Sequence, residues 1–406
     1  MAYESIPEAT ITSVPAFLAA GVPCGLKGGE ALDLALVHSE RPASAAGVFT
    51  TNRFAAAPVR YDRAVLAQNP SAVRAVVINS GCANACTGAE GLADAAEMAA
   101  LAARALGCAV QAVLVMSTGV IGVRLAMDRL REGIPVAASR LSREGGLEAA
   151  RAIMTTDTRP KTCAVRTELD GRPVTVAGMA KGAGMIHPNM ATMLALIATD
   201  AGASPPALQT ILNRAVAASF NAITVDGDTS TNDTVLLLAN GCAGNTPITD
   251  PASPAGEALA EAVTAVATHL AHAIVRDAEG ASHFVTIHVR GAADDADAHR
   301  AAKAVAHSPL VKTAIYGGDP NWGRVLCAVG YSGAEVDPDR VSLRFGDLEL
   351  VSGGRPLSYD EARAADILRQ SEVTITIDLG LGGGEATVWT CDLTHRYVDI
   401  NAHYRT

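Results

Sequence analysis

The stretch KGAGMIHPNMATMLALIATD, residues 181–200, decides how this chain is read. A loop studded with glycine and broken by Pro188 gives way to an apolar run that begins on Thr192. One reading is a plain loop-to-strand junction, with a β-branched residue where a strand starts. The other is a threonine placed to become the first residue of a new chain. A threonine hydroxyl stays protonated near neutral pH and is a weak nucleophile until a base sits within hydrogen-bond reach. A free α-amine on the same residue is such a base, with a pKa of roughly 7.7–8.0. The chain can make this arrangement itself. The Thr192 hydroxyl attacks the Ala191 carbonyl, the peptide becomes an ester, and water cuts it. Small Ala191 leaves that carbonyl accessible, Gly182 and Gly184 permit unusual backbone, and Lys181 supplies a nearby cation. On these residues alone both readings stand.

Working outward, 406 residues suffice for two or three ordinary domains. Apolar residues make up 49% and aromatics 4%, so the core must be built from Ala, Val, Leu and Ile. The formal charge of −10 argues against nucleic acid or an anionic membrane as partner, because both reward a basic face. The eight cysteines are scattered without a CxxC pair, and the expectation is reduced thiols rather than a disulfide framework. Cys82 and Cys86 have loose metal-ligand spacing but no second pair nearby. The amino-terminal MAYESIPEATITSV has no basic residue before Lys27, unlike a signal peptide. With no uninterrupted apolar run of membrane-spanning length, a soluble, cytoplasmic protein is expected.

Hydrophobic periodicity predicts a buried strand over 72–81, an Ala-rich amphipathic helix over 91–107, and an apolar strand over 111–122 that runs into a loop. Residues 163–182 read as a hairpin turning at Asp170-Gly171, and helices are expected at 205–220 and 255–275. From about residue 283 strands dominate, with helices near 295–306 and 358–370, which suggests a second, smaller α+β domain.

Four further segments carry chemistry or its semblance. STGVIG, residues 117–122, is a small-residue loop at a strand end. Such a loop can aim backbone N–H groups at one point, as an oxyanion hole does, or it can be a tight turn. NAITVDGDTSTND, 221–233, has three aspartates but lacks the closing glutamate of an EF-hand, so a hydrogen-bonded polar network is expected ahead of a metal. In GGDPNWGR, 317–324, the tryptophan can cover a pocket or cap a core edge. DLGLGGGE, 378–385, is followed by a strand rather than a helix and is read as a hairpin turn, not a nucleotide loop.

Taken together and in this order, KGAGMIHPNMATML, STGVIG, VDGDTSTND, GGDPNWGR and the terminal YVDINAHYRT resemble the ornithine acetyltransferase family of arginine biosynthesis, the glutamate N-acetyltransferases. The resemblance implies self-cleavage between Ala191 and Thr192. It implies an α chain of residues 1–191 and a β chain whose 192–282 completes the catalytic part and whose 283–406 forms the smaller domain. The implied fold is an α/β sandwich similar to the self-processing aminopeptidase-esterase group. Thr192 would take acetyl from N2-acetylornithine and pass it to glutamate in two steps, the ping-pong pattern of an acyl-enzyme. Thr118 and Gly119 would form the oxyanion hole. Substrate contacts would fall on Thr155, Lys181, Thr192, Glu279, Asn401 and Thr406. No metal or bound cofactor is implied, although acetyl-coenzyme A is a second donor in some members. An αβ pair assembled into a heterotetramer is implied as well.

The sequence departs from the family pattern in two places. DAEGASHF, 277–284, stands where the usual form is closer to DGEGATKF, although Glu279 is kept. Cys82 stands where the family usually has asparagine. Two rival readings remain: a self-processed amidase or aminopeptidase that releases acyl groups to water, and an uncut binding protein that kept the fold alone.

Overall fold

The computed structural model describes residues 3–187 and 193–403. The chain is mixed α/β and divides into two compact units, 1–221 with 228–274 and 222–227 with 275–405.

Among the described residues, the first unit holds strands β1 (Tyr3–Ser5), β2 (Phe17–Val22), β3 (Leu34–Phe49), β4 (Val73–Cys82), β5 (Val113–Val120), β6 (Lys161–Leu169), β7 (Arg172–Lys181), β8 (Leu194–Thr199) and β9 (Thr234–Ala239). Its helices are α1 (Ala57–Gln68), α2 (Gly88–Leu106), α3 (Met127–Ser139), α4 (Gly146–Ala152), α5 (Pro205–Ala218) and most of α6 (Pro254–Arg276). The strands are ordered β1-β6-β7-β8-β9-β3-β4-β5, with β2 also on β3.

The long strand β3 organises this unit. Its first half, through His38, pairs with β2 and β4, while Ser44 to Phe49 pair with β9. The register breaks between His38 and Ala43, around Pro42, which has no N–H to give a ladder. Two stretches of sheet therefore share one strand and face each other across a core. Strand alternation then sorts the side chains. On β4 and β5, Val76, Ile78, Leu114 and Met116 enter the shared core, where Met179, Leu196 and Leu236 meet them from β7, β8 and β9. Val77, Val113 and Val115 point the other way, onto Met98 and Ala102 of α2 and Leu130 and Ile134 of α3. Both faces are buried, so these strands read as continuous apolar runs. The opposite outer face is covered too: a Cβ on Gly178 would lie 2.9 Å from Leu270 and 3.0 Å from Val266 of α6. The result is a sandwich of helices, sheet, sheet and helices.

By length and composition α6 could cross a membrane. That differs from the sequence expectation, which found no span of that kind. Its Leu259, Val263, Val266 and Leu270 are fully buried, so within the fold it is a core helix.

The second unit holds β10 (Phe284–Ala292), β11 (Ser342–Phe345), β12 (Leu348–Ser352), β13 (Arg355–Pro356), β14 (Glu372–Asp378) and β15 (Gly384–Cys391). Its helices are α7 (Asp295–His307), α8 (Pro309–Gly317), α9 (Trp322–Gly330), α10 (Glu361–Leu368) and α11 (His395–His403). The sheet order is β13-β12-β11-β14-β10-β15. The hairpin expected at 378–385 is not one, because β14 and β15 lie on either side of β10. The glycine-rich segment crosses the end of β10, where Leu381 N and Gly382 N donate to Gly291 O. Trp322 packs against the apolar core and Asn321 caps α9, which settles GGDPNWGR as a core edge.

One buried acid of the first unit gives a pH-dependent stability. Asp62 of α1 is fully buried, and its Oδ1 accepts a 2.8 Å hydrogen bond from Val115 N. Burial pushes its carboxyl well above the usual carboxylate range, although the hydrogen bond from Val115 pulls it back somewhat. A folded-state pKa above the unfolded one means the contribution is complete below the unfolded value of about 3.9 and is lost as pH rises through the folded one. Asp62→Asn keeps the acceptor without the charge. Urea midpoints measured from pH 4 to 9 should therefore fall less steeply for the variant than for the wild type.

Candidate active site

Strands β4 and β5 run parallel and bring Gly81 opposite Gly119. Gly119 has φ +132°, and a Cβ there would lie 2.3 Å from the carbonyl carbon of Gly81 and 2.6 Å from Cys82 N. Only glycine fits, because backbone meets backbone. Gly81 is also left-handed, at φ +100°, and Thr118 is buried.

This strand end is pinned by a buried polar network. Ser117 Oγ donates to Asn79 Oδ1 at 2.6 Å, and Asn79 Nδ2 donates to Cys82 O at 2.9 Å. Asn232 Nδ2 donates to both Ala83 O, at 2.6 Å, and Ser117 O, at 2.8 Å. Thr231 Oγ1 in turn donates to Asn232 Oδ1 at 2.6 Å. The 221–233 segment is thus the polar network the sequence suggested, and its asparagine ties the ends of β4 and β5 together. Its last aspartate has a separate role. Asp233 is fully buried, and its Oδ1 accepts from Met193 N at 2.9 Å, so it anchors the residue that directly follows Thr192. Burial pushes its carboxyl well above the usual range, against the hydrogen bond from Met193 and the charge of Lys181.

Lys181 ends β7 inside a charged cluster. Asp157 Oδ1 accepts from Lys161 Nζ at 2.6 Å and from Gly182 N at 2.7 Å. Asp157 Oδ2 accepts from Thr155 N at 3.0 Å and lies 3.9 Å from Lys181 Nζ. The Asp157, Lys161 and Lys181 side chains are 0%, 1% and 3% exposed. Burial alone would raise the Asp157 carboxyl. The lysines and the backbone donor overrule it and hold the group well below the usual carboxylate range, so it is ionised.

In the second unit Asn401 Nδ2 donates to Glu279 Oε2 at 2.7 Å and to Tyr397 O at 3.0 Å. The departures at 282 and 283 form a pair on one acid: Ser282 Oγ and His283 Nδ1 both meet Asp392 Oδ2. Cys82, the other departure, is buried with Sγ donating to Val123 O at 3.3 Å.

Of the residues singled out from sequence, the first unit therefore holds Thr118 and Gly119 on one strand end and joins Thr155 to Lys181 through Asp157. The second unit joins Glu279 to Asn401. Ala191, Thr192 and Thr406 lie outside the described residues. Sequence reasoning missed Asp157 and Lys161, and it singled out Asn232 and Asp233 only as part of the 221–233 segment, without their separate roles. The i,i+4 spacing of Asp157 and Lys161 was the available signal for the first pair.

Bare backbone at a strand end and a buried ammonium cluster suit an enzyme that moves acyl groups between carboxylate-bearing molecules. Comparison with known proteins agrees with that class. The chain belongs to the ArgJ family, whose model matches residues 18–406. The arginine biosynthesis bifunctional protein ArgJ of Symbiobacterium thermophilum is 54% identical over 398 residues, 98% of each chain. The crystal structure of the same-named protein from Bacillus halodurans is 42% identical, covers 50% of this chain and 96% of that one, and gives a TM-score of 0.49. That of the ornithine acetyltransferase of Mycobacterium tuberculosis complexed with ornithine is 41% identical, covers 46% of this chain and 98% of that one, and gives 0.42.

Gly119→Ala forces a Cβ into the Gly81–Cys82 backbone. Acetyl transfer should fall by about 10²–10³, the range for a lost oxyanion donor, which is the role proposed for this backbone below. Gly122→Ala, where a Cβ meets nothing within 4 Å, should change it only a few-fold. Initial rates of the two purified variants make the comparison.

Proposed function

We propose that this chain cuts itself between Ala191 and Thr192, and that Thr192 then carries acetyl from N2-acetylornithine to glutamate. Acetyl transfer in arginine biosynthesis is the role that family membership carries. The single observation that best supports the mechanism is the Gly81–Gly119 contact, because it bares backbone next to Thr118 at a strand end. Thr118 and Gly119 are proposed as the oxyanion hole for both the cleavage and the transfer. Thr155, Lys181, Thr192, Glu279, Asn401 and Thr406 are the proposed substrate contacts. The buried Asp157–Lys181 cluster supports this assignment, since carboxylate-bearing substrates need a held cation.

The steps balance as an acyl-enzyme cycle. The Thr192 hydroxyl adds to the acetyl carbonyl, ornithine leaves with its α-amine restored, and the ester remains. The α-amine of glutamate then attacks that ester and regenerates the hydroxyl. The Thr192 α-amine, free only after cleavage, takes and returns the proton. Acetyl-coenzyme A is the proposed second donor. Residues 1–191 and 192–406 are proposed to stay together as α and β chains, paired into a cytoplasmic heterotetramer.

Intact-mass spectrometry before and after addition of N2-acetylornithine tests this reading. Two chains split at Ala191-Thr192, with one acetyl on the chain beginning at Thr192, are expected. Thr192→Ala should remain one uncut chain without transfer. Two chains that take up no acetyl would point instead to the amidase.

A further inference from the structure

Lys27 lies on the loop between β2 and β3, and no motif of the sequence drew attention to it. The loop is shaped by Asp33, fully buried, whose Oδ1 accepts from Cys24 N at 2.7 Å and whose Oδ2 accepts from Lys27 N at 3.0 Å. This fixes the backbone of Lys27 and sends its side chain between two parts of the candidate site. The stem runs beside the oxyanion strand end: a Cβ on Gly81, the residue opposite Gly119, would lie 3.4 Å from Lys27 Cγ. The ammonium reaches the other part. Nζ donates to Met154 O at 2.5 Å, next to Thr155, and to Leu32 O at 3.0 Å. Thr155 N in turn is bound by the same Asp157 oxygen that lies 3.9 Å from Lys181 Nζ.

Three lysines, 27, 161 and 181, gather around the Asp33 and Asp157 carboxylates, and Asp233 also lies within electrostatic reach of Lys181. Asp157 is already engaged by Lys161 and two backbone N–H groups. Asp33 is engaged by two backbone N–H groups. Partial burial lowers the Lys27 ammonium from its ordinary range, the Lys181 charge lowers it further, and Asp33 and Asp157 work against both. The hydrogen bonds of Lys27 Nζ to Met154 O and Leu32 O go to neutral carbonyls, which leaves one of its three protons for another acceptor. An incoming carboxylate would satisfy that proton with a charge-assisted hydrogen bond.

We propose that Lys27 is a further substrate-binding residue, which with Lys181 seats the carboxylate of the amino-acid substrate beside the oxyanion strand end. Asp157 is then a positioning residue that holds Lys181 and the Thr155 backbone around that carboxylate. This rests on the acetyl-transfer reading for the identity of the substrate. It adds a residue, and the group on the substrate that the residue meets.

Ornithine and putrescine, the same diamine with and without its carboxylate, provide the test. Calorimetric titration of wild-type protein should give clearly tighter binding of ornithine. Lys27→Gln should weaken ornithine about 10-fold or more, as expected for a lost hydrogen bond to a charged group, and leave putrescine within twofold. Lys27→Arg should recover part of the loss. An active Lys27→Gln enzyme that binds ornithine as the wild type does would overturn the assignment. An equal loss for both diamines would also overturn it, because that is the mark of a loop clip and not of a carboxylate contact. The acetyl-transfer reading fails separately, if the wild type moves no acetyl from N2-acetylornithine.

Discussion

The Asp157 carboxylate is the group around which the candidate site is built. A lone ammonium buried as deeply as Lys161 or Lys181 would pay a heavy desolvation penalty, and in practice a buried group neutralises rather than stay charged and unpaired. Asp157 removes that penalty for Lys161 by direct contact and reduces it for Lys181 at 3.9 Å. Its remaining lone pairs are taken by Gly182 N and Thr155 N. The carboxylate thereby couples the end of β7 to the segment after α4, two pieces of chain far apart in sequence. Without it both lysines would lose a close opposite charge, and Gly182 N and Thr155 N would lose their acceptor. Asp233 supplies the downstream anchor through Met193 N. Chain on either side of the proposed cleavage point is thus held by buried acids whose pKa values are pushed in opposite directions, Asp157 down by its lysines and Asp233 up by burial.

The fold explains how these groups meet. Because β3 belongs to both stretches of sheet, the ends of β4 and β5 are set against the segment that precedes β9. Asn232 makes that relation rigid by donating from one amide to Ser117 O on β5 and to Ala83 O just past the end of β4. A side chain that bonds two buried acceptors is worth more than a single hydrogen bond, since its loss takes a donor from both. The polar segment that looks metal-like in sequence is therefore a clamp. Its aspartate and asparagine act at different places, one on Met193 N and the other on the ends of β4 and β5.

The sequence was most legible where periodicity or turn chemistry is strong. The helices at 91–107, 205–220 and 255–275 match α2, α5 and α6 closely, and Asp170-Gly171 turns β6 into β7 with both residues at positive φ. It was less legible where a partner distant in sequence decides the outcome. Nothing local in LGLGGG says that β10 will lie between β14 and β15, because that depends on parallel pairing across about ninety residues. The long β3 shows the same limit: its bend at Pro42 reads locally as a break, and only its two sets of partners make it one strand. For the site, motif resemblance named the residues proposed to touch substrate and was silent on those that hold them. Asp157, Asn232 and Asp233 are ordinary polar residues in sequence, and burial alone gives them their roles.

Charge shows why totals mislead about such a site. With a formal charge of −10 the chain as a whole repels anions. A zwitterionic amino acid, however, feels little net force from a distant field that acts on both its charges and is screened within about 10 Å at ordinary ionic strength. What would decide its binding is the local balance at contact distance, and Lys27, Lys161 and Lys181 gather around Asp33 and Asp157. Their charges can be kept because two of the lysines are stabilised by one deeply buried acid, while the third leans on backbone carbonyls. A net acidic chain and a local cluster of ammonium groups are therefore compatible, the first bearing on solubility and the second, in the reading proposed above, on which end of an amino acid goes in.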